Sequence, residues 1–252
     1  MSLTKPPEQI ERIRKSAKIL ALTLQKLAEA SRVGANLWQL EELAKQVISD
    51  NGAKPAFLGY HPDGAERPYP FALCTSLNEV VVHGQPHNYC LRSGDILKLD
   101  LGVNWQGGIS DAAITLPIGK VTKKNLRLID IAREALGAGI GAAKAGNTIG
   151  DIGYAIAQVV KENKAKVIEG LTGHGVGNEL HEEPTVYNLG NPGMGVTLES
   201  GMVLAIEPMV SLVSGKIIQL EDGSFATRDK SKAAHFEHTV LITAQGAEVL
   251  TK

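Results

Sequence analysis

From Pro7 onward, Ile10, Ile13, Ala17, Leu20, Leu24 and Leu27 recur at alternating steps of three and four residues. That spacing lines one face of an α-helix and predicts a first helix there. A second helix is expected from a cap at Asn36 to about Asp50, with Leu37, Leu40, Leu43 and Val47 inward and DNGAKP as its stop. Strand-like pieces separated by turn signals follow as far as AAITLPIGK. KKNLRLIDIAREALGAGIGAAKAG then reads as a third helix, and a fourth opens at Asn147 or Thr148 and runs to about Asn163. Two helices followed by strands occur twice.

The repetition reaches single residues. SGDILKLDLG from Ser93 and SGMVLAIEPM from Ser200 lie 107 residues apart and share the small turn, the apolar alternation and a carboxylate at the same step, Asp100 matching Glu207. Aligning Gly34 with Gly146, an offset of 112, pairs Leu37 with Ile149, Leu40 with Ile152, Gln46 with Gln158 and Val47 with Val159. A small length change between the blocks accounts for the two offsets. Such units are too long for a solenoid, so one domain over residues 1–252 is expected, built of two related halves at about 8–118 and 123–245.

The strands carry the chemistry. In ILKLDLGV the two-residue period puts Leu97, Leu99, Leu101 and Val103 on one face and Asp100 with Lys98 on the other. The chain turns through NWQGG and returns as ISDAAITL; a tight turn makes Asp100 and Asp111 cross-strand neighbours with Cβ atoms roughly 5 Å apart. Further on, Leu204 and Ile206 face the core and Glu207 the other side, while HFEHTVLIT supplies Glu237. Four converging, partly buried carboxylates raise one another's pKa and are costly to keep ionised. Two divalent cations match their charge, and His174 in LTGHGVG, whose flanking glycines let backbone crowd a small centre, is the best imidazole to join them. Paired metals roughly 3.5–4 Å apart are a hydrolytic device that activates water and polarises the bond under attack. His235 and His238 flank Glu237; strand alternation is read as placing both opposite it, in packing or supporting roles. The glycines of GAGIGAAKAG mimic a dinucleotide loop but lack the preceding strand that motif requires.

Composition narrows the class. With 252 residues, 43% hydrophobic and 21% charged, the chain can bury a sizeable core. Lys plus Arg number 26 against 27 Asp plus Glu, which gives no electrostatic case for nucleic acid or an anionic membrane. No apolar run approaches the roughly 20 residues of a membrane span, and MSLTKPPEQIERIRKS lacks a signal peptide's apolar core, so a cytoplasmic protein is expected. Cys74 and Cys90 form no CxxC and read as reduced, mostly packed thiols.

DLGVNWQGGISDAAIT, GHGVGNELHEEP, AIEPMV and FEHTVLIT, in this order and spacing, resemble the type I, bacterial-style methionine aminopeptidases of peptidase family M24 over nearly the whole chain. The resemblance implies an α+β pita-bread (creatinase/aminopeptidase) fold, two pseudo-symmetric αβ halves around a dinuclear site. It implies two divalent ions (Mn, Fe, Co or Zn), one held by Asp100, the other by His174 and Glu207, with Asp111 and Glu237 bridging both. It implies that His83 in NEVVVHGQP and His181 in LHEEP contact the substrate near the scissile amide. Tyr60 and Cys74 occupy places that line the methionine pocket in similar proteins, although core roles explain them nearly as well. The implied reaction removes an N-terminal methionine when the second residue is small: the α-amine approaches the Asp100 metal, a bridging hydroxide attacks the carbonyl and Glu207 shuttles a proton. His181 then supports the oxyanion and His83 the departing nitrogen. Nascent or newly made proteins would be the substrates, the ribosome a transient partner, and the enzyme a monomer. Ser2 would make the chain a substrate of its own activity.

Three departures from the family pattern concern the pocket and put the strictness of methionine selection in question: Ser224 where a tryptophan is usual, Leu180 for a frequent phenylalanine, and a longer YHPDGAERPYP loop. An X-Pro aminopeptidase or dipeptidase shares the fold and ligands but usually carries an N-terminal domain, and fewer than 100 residues precede Asp100. The type II enzymes insert a helical segment where only 25 residues lie between His181 and Glu207. A non-catalytic pita-bread binding module typically loses ligands, and here all five are present.

Overall fold

A computed structural model describes residues 3–61 and 67–252; the Met1–Ser2 self-processing expectation and the middle of the YHPDGAERPYP loop lie outside the described residues. The first half runs α1 (Pro7–Ala30), α2 (Leu37–Asp50), β1 (Lys54–Pro55), β2 (Cys74–Leu77), β3 (Val80–Val82), β4 (Ile96–Trp105) and β5 (Gly108–Pro117). The second runs α3 (Lys123–Ala142), α4 (Ile149–Glu162), β6 (Lys166–Val167), β7 (Gly173–Gly175), β8 (Glu182–Val186), β9 (Val203–Ile206), β10 (Met209–Ser211), β11 (Ile217–Gln219), β12 (Phe225–Thr227), β13 (Ala233–His235), β14 (His238–Thr243) and β15 (Gly246–Val249). Among the described residues no helix is long and apolar enough to cross a membrane.

Local chemistry starts the helices where the periodicity placed them. Proline at the first turn opens α1, where a missing N–H costs nothing. Asn36 caps α2 by accepting from Trp38 N at 2.9 Å, and Thr148 caps α4, each within a capping box. The inner faces of α1 and α2 bury Leu20, Leu27, Leu37 and Leu40 against Leu97, Leu99, Leu101 and Val103 of β4. Each such side chain contributes about 1.5–3 kcal/mol. In the second half α3 and α4 close over Leu204 and Ile206 of β9 and Val240 and Ile242 of β14, whereas Val203 and Ala205 point into a third cluster with Ile13, Cys74 and Val176. Apolar residues on both faces of β9 mark it as an interior strand of the antiparallel sheet β15-β14-β9-β7-β8.

The hairpin β4–β5 is the scaffold of the first half, and its register differs from expectation. Gln106 and Gly107 form a two-residue loop with φ of 49° and 83°, both positive as a type I′ turn requires. Asp100 therefore pairs with Ala113, and Asp111 with Gly102. The two aspartates are diagonal neighbours on one face, not directly opposed.

A seam joins β5 to the run Glu237–Thr239. Thr239 Oγ1 accepts from Asp111 N at 2.9 Å and donates to Asp111 O at 2.7 Å. Glu237 N donates to Ala113 O at 2.9 Å. Thr115 Oγ1 accepts from His235 N at 2.9 Å and donates to His235 O at 2.5 Å. These pairs step by two residues in opposite directions, so the two segments run antiparallel in one register. Cross-strand rows result, Cys74–Asp100–Ala113–Glu237 beside Ser76–Lys98–Thr115–His235. Their members share one face of the sheet.

Candidate metal centre

The first of these rows brings Asp100 and Glu237 to one wall with only the methyl of Ala113 between them, and Asp111 stands one row along. From the opposite side β7 presents His174, which pairs with Ala205 of β9, and Glu207 follows directly after β9. Gly173 and Gly175 are required here: a Cβ on the first would collide with the Ala205 carbonyl and on the second with the Glu183 carbonyl. His174 thereby sits flush against two neighbouring strands.

The donor set has too few protons to satisfy itself. His174 Nδ1 lies 2.9 Å from Gly175 O, and since a carbonyl only accepts, the ring proton is on Nδ1. Nε2 is left as a bare lone pair, 3.5 Å from Glu207 Oε1 and 3.9 Å from Asp111 Oδ2. Asp100 Oδ1, Asp111 Oδ1 and Glu237 Oε1 are buried without a hydrogen-bond partner. Lone pairs facing lone pairs in a buried site need a cation between them. Ligand atoms of Asp111, His174 and Glu237 lie within 4.8 Å of one another, and those of Glu207, His235 and Glu237 do likewise, so the residues present fit divalent metal.

Electrostatics agree with the geometry. Burial, reinforced by the neighbouring carboxylates, pushes Asp100, Glu207 and Glu237 well above the usual carboxylate range, and burial lifts Asp111 to about 7. Burial also lowers His174 to about 4, which keeps Nε2 free of a proton. Acids raised and an imidazole lowered in one spot is a pattern of functional sites.

The remaining candidates ring this cluster. His181 packs edge-on to His174 with ring centroids 4.3 Å apart, and its Nδ1 is 2.9 Å from the Tyr60 hydroxyl. Thr172, Gly173, His174, His181 and Glu182 line a common cleft. His83 follows β3 with φ of 60° and stands edge-on to Phe225, centroids 5.9 Å apart. Cys74 is buried beside Asp100 in the adjoining strand. Ser224 is buried and donates to Asp222 Oδ1 at 2.6 Å, while Leu180 is buried among Phe57 and Val176.

The expectation for His235 is overturned. Two residues along an extended chain share a face, so His235 stands on the side of Glu237, with Nε2 3.4 Å from Glu207 Oε2. His238, one residue on, bonds Thr251 Oγ1 at 2.9 Å instead. The spacing of two was the available signal. Lys98 lies where the two-residue period put it, on the face of Asp100: it is buried, its ammonium donating to Asn78 O at 2.8 Å.

The sequence pattern of metallopeptidase family M24 matches residues 11–244. A methionine aminopeptidase of Clostridium perfringens is 40% identical over 252 residues, taking in 100% of this chain and 99% of its own. The crystal structure of methionine aminopeptidase from Thermotoga maritima is 41% identical and superposes with a TM-score of 0.94 over 99% of this chain and 98% of that one. The prolidase from Pyrococcus furiosus, 26% identical, gives 0.79 over 99% of this chain and 65% of its own. The α+β pita-bread arrangement is the fold common to these neighbours.

Proposed function

The chain belongs to metallopeptidase family M24, among its methionine aminopeptidases, and from that premise we propose how its residues remove the N-terminal methionine of a protein. The observation that carries the reading is the proton-poor cluster in which Asp111 and Glu207 face the bare Nε2 of His174. Asp100, Asp111, His174, Glu207 and Glu237 would hold two divalent ions, of Mn, Fe, Co or Zn, with Asp111 and Glu237 shared between them. Such ions supply Lewis acidity, polarising the scissile carbonyl and making water a competent nucleophile near neutral pH.

Around them the chain's own groups bind, orient and move protons. Glu207 accepts the proton released from water and passes it on. The Tyr60 hydroxyl lies 2.9 Å from His181 Nδ1; donating there, it would leave the ring proton on Nε2, available to a developing oxyanion. Loss of hydration in the cleft, with His174 and His83 nearby, holds His181 below its ordinary pKa, so it acts as a neutral donor. His83, lowered by the same loss of hydration, meets the departing amide nitrogen. Cys74 and Tyr60 border the methionine side chain, and a small second residue is preferred. The substrates are nascent or newly made proteins in the cytoplasm, met near the ribosome by a monomeric enzyme. Its residues 1–252 act as one catalytic domain of two halves, about 8–118 and 123–245; the positive φ of Gly34 and Gly146 ahead of matching capping boxes supports that division.

The test is methionine release from Met-Ala-Ser by chelator-stripped protein with Mn, Fe, Co or Zn restored singly, and Asp111→Ala as control. Metal-dependent release, absent from the control and from an Ala-Pro peptide, is expected. Cleavage of Ala-Pro alone would make the chain an X-Pro enzyme, and folded protein that takes up no metal would make it a binding module.

A further inference from the structure

His235 is the one imidazole at the centre whose role the five-ligand scheme leaves open. Its backbone is fixed from both sides by the Thr115 hydroxyl and by pairing with Met209 of β10. Its ring is only 1% exposed, and neither ring nitrogen has a hydrogen-bond partner. Leaving a buried polar group unpaired costs about 1–3 kcal/mol, so a rigidly held, unpaired imidazole calls for an explanation. The Lys98 ammonium and His83 are its charged or titratable neighbours besides the carboxylates, and the ammonium, already donating to Asn78 O, offers no acceptor.

Glu207 does. Its two oxygens are divided between two imidazoles, Oε1 at 3.5 Å from His174 Nε2 and Oε2 at 3.4 Å from His235 Nε2. The two nitrogens are complementary in kind: that of His174 carries a lone pair, because its proton is on Nδ1, whereas that of His235 is free to carry a proton. We infer that His235 is a positioning residue of the metal centre, donating its Nε2 proton to Glu207 Oε2 and so turning Oε1 toward the ion that Glu207 shares with His174. A shift of a few tenths of an ångström closes the present separation to a hydrogen bond. Donors of this kind orient ligands and tune their basicity, and their loss typically costs 10–100-fold in metal affinity. The inference rests on the reading of Glu207 and His174 as ligands.

The experiment is calorimetric titration of the stripped, full-length protein with Mn(II), comparing native, His235→Gln, His235→Leu and His235→Met, with melting temperature as the check on folding. Gln keeps an N–H donor, whereas Leu and Met fill the space without one; either serves if the other fails to fold. Affinity should fall about 10–100-fold in the donor-less variants and stay within about threefold of native in Gln. Native affinity in Leu or Met overturns the inference. Equal weakening in Gln and Leu, together with a Co(II) visible spectrum altered in both, overturns it too, by making His235 a direct ligand. A native protein that takes up no Mn, Fe, Co or Zn fails earlier and removes the metal reading itself.

Discussion

Asp95 shows how single residues hold the turns that lead into the carboxylate-bearing strands. Burial works against its ionisation, but donors from Asn78 Nδ2 at 3.0 Å, Arg92 N at 2.8 Å and the Tyr89 hydroxyl at 3.0 Å outweigh it and keep the carboxyl below the usual range. A group depressed in the folded state contributes stability that is complete above its unfolded pKa of about 3.9 and is lost as pH falls through the folded value. Asp95→Asn should therefore be less stable than native by about 1 kcal/mol at neutral pH, with the gap closing as pH drops below about 4. Urea unfolding of the pair across that range measures it, and a gap independent of pH would refute the assignment. At this scale the sequence was informative about identity, since a carboxylate or imidazole brings its chemistry with it. Orientation was legible as well: the spacing of two between His235 and Glu237 puts both on one face, although His235 was assigned to the opposite one.

At the scale of elements, the seam between β5 and the Glu237–Thr239 run places Asp111 beside Glu237. Thr239 is wholly buried, and its hydroxyl satisfies both backbone groups of Asp111. Thr239→Val keeps the volume and strands both groups, so a loss of about 2–3 kcal/mol is expected in denaturant unfolding, with Thr239→Ser near native. Equal stability of the Val and Ser variants would show the hydroxyl to be dispensable. The helices were legible because their signals are local: an apolar stripe, a cap, a stop. The strands near the site were less so. Alternation told which face each residue takes, but a two-residue loop at Gln106–Gly107 shifted the Asp100–Asp111 pairing by two positions, and β13 stops at His235 with β14 resuming at His238.

For the whole molecule, the candidate centre draws on both the earlier and the later part of the chain. Asp100 and Asp111 come from the first, His174, Glu207 and Glu237 from the second, and β3 of the first half pairs with β12 of the second. Removing divalent metal leaves carboxylates from both sides facing one another in a buried space, and ligand binding to the folded state alone adds stability by mass action. Chelator-stripped protein should therefore melt at a lower temperature, and metal at 100 times its Kd should restore about 2.7 kcal/mol. Differential scanning calorimetry with and without Mn tests this; identical melting would mean that the fold does not depend on the ions.

By itself the sequence determined the four helices, the inward face of β4 and the set of acids and imidazoles from which the site is drawn, because periodicity, capping and side-chain chemistry act within a few residues. Tertiary structure decided which of those groups meet. Asp111 comes within metal-sharing distance of Glu237 through hydrogen bonds between segments more than 100 residues apart, and His235 approaches Glu207 through the packing of β13 on β10; such register is set by loop geometry and long-range pairing that no local pattern encodes.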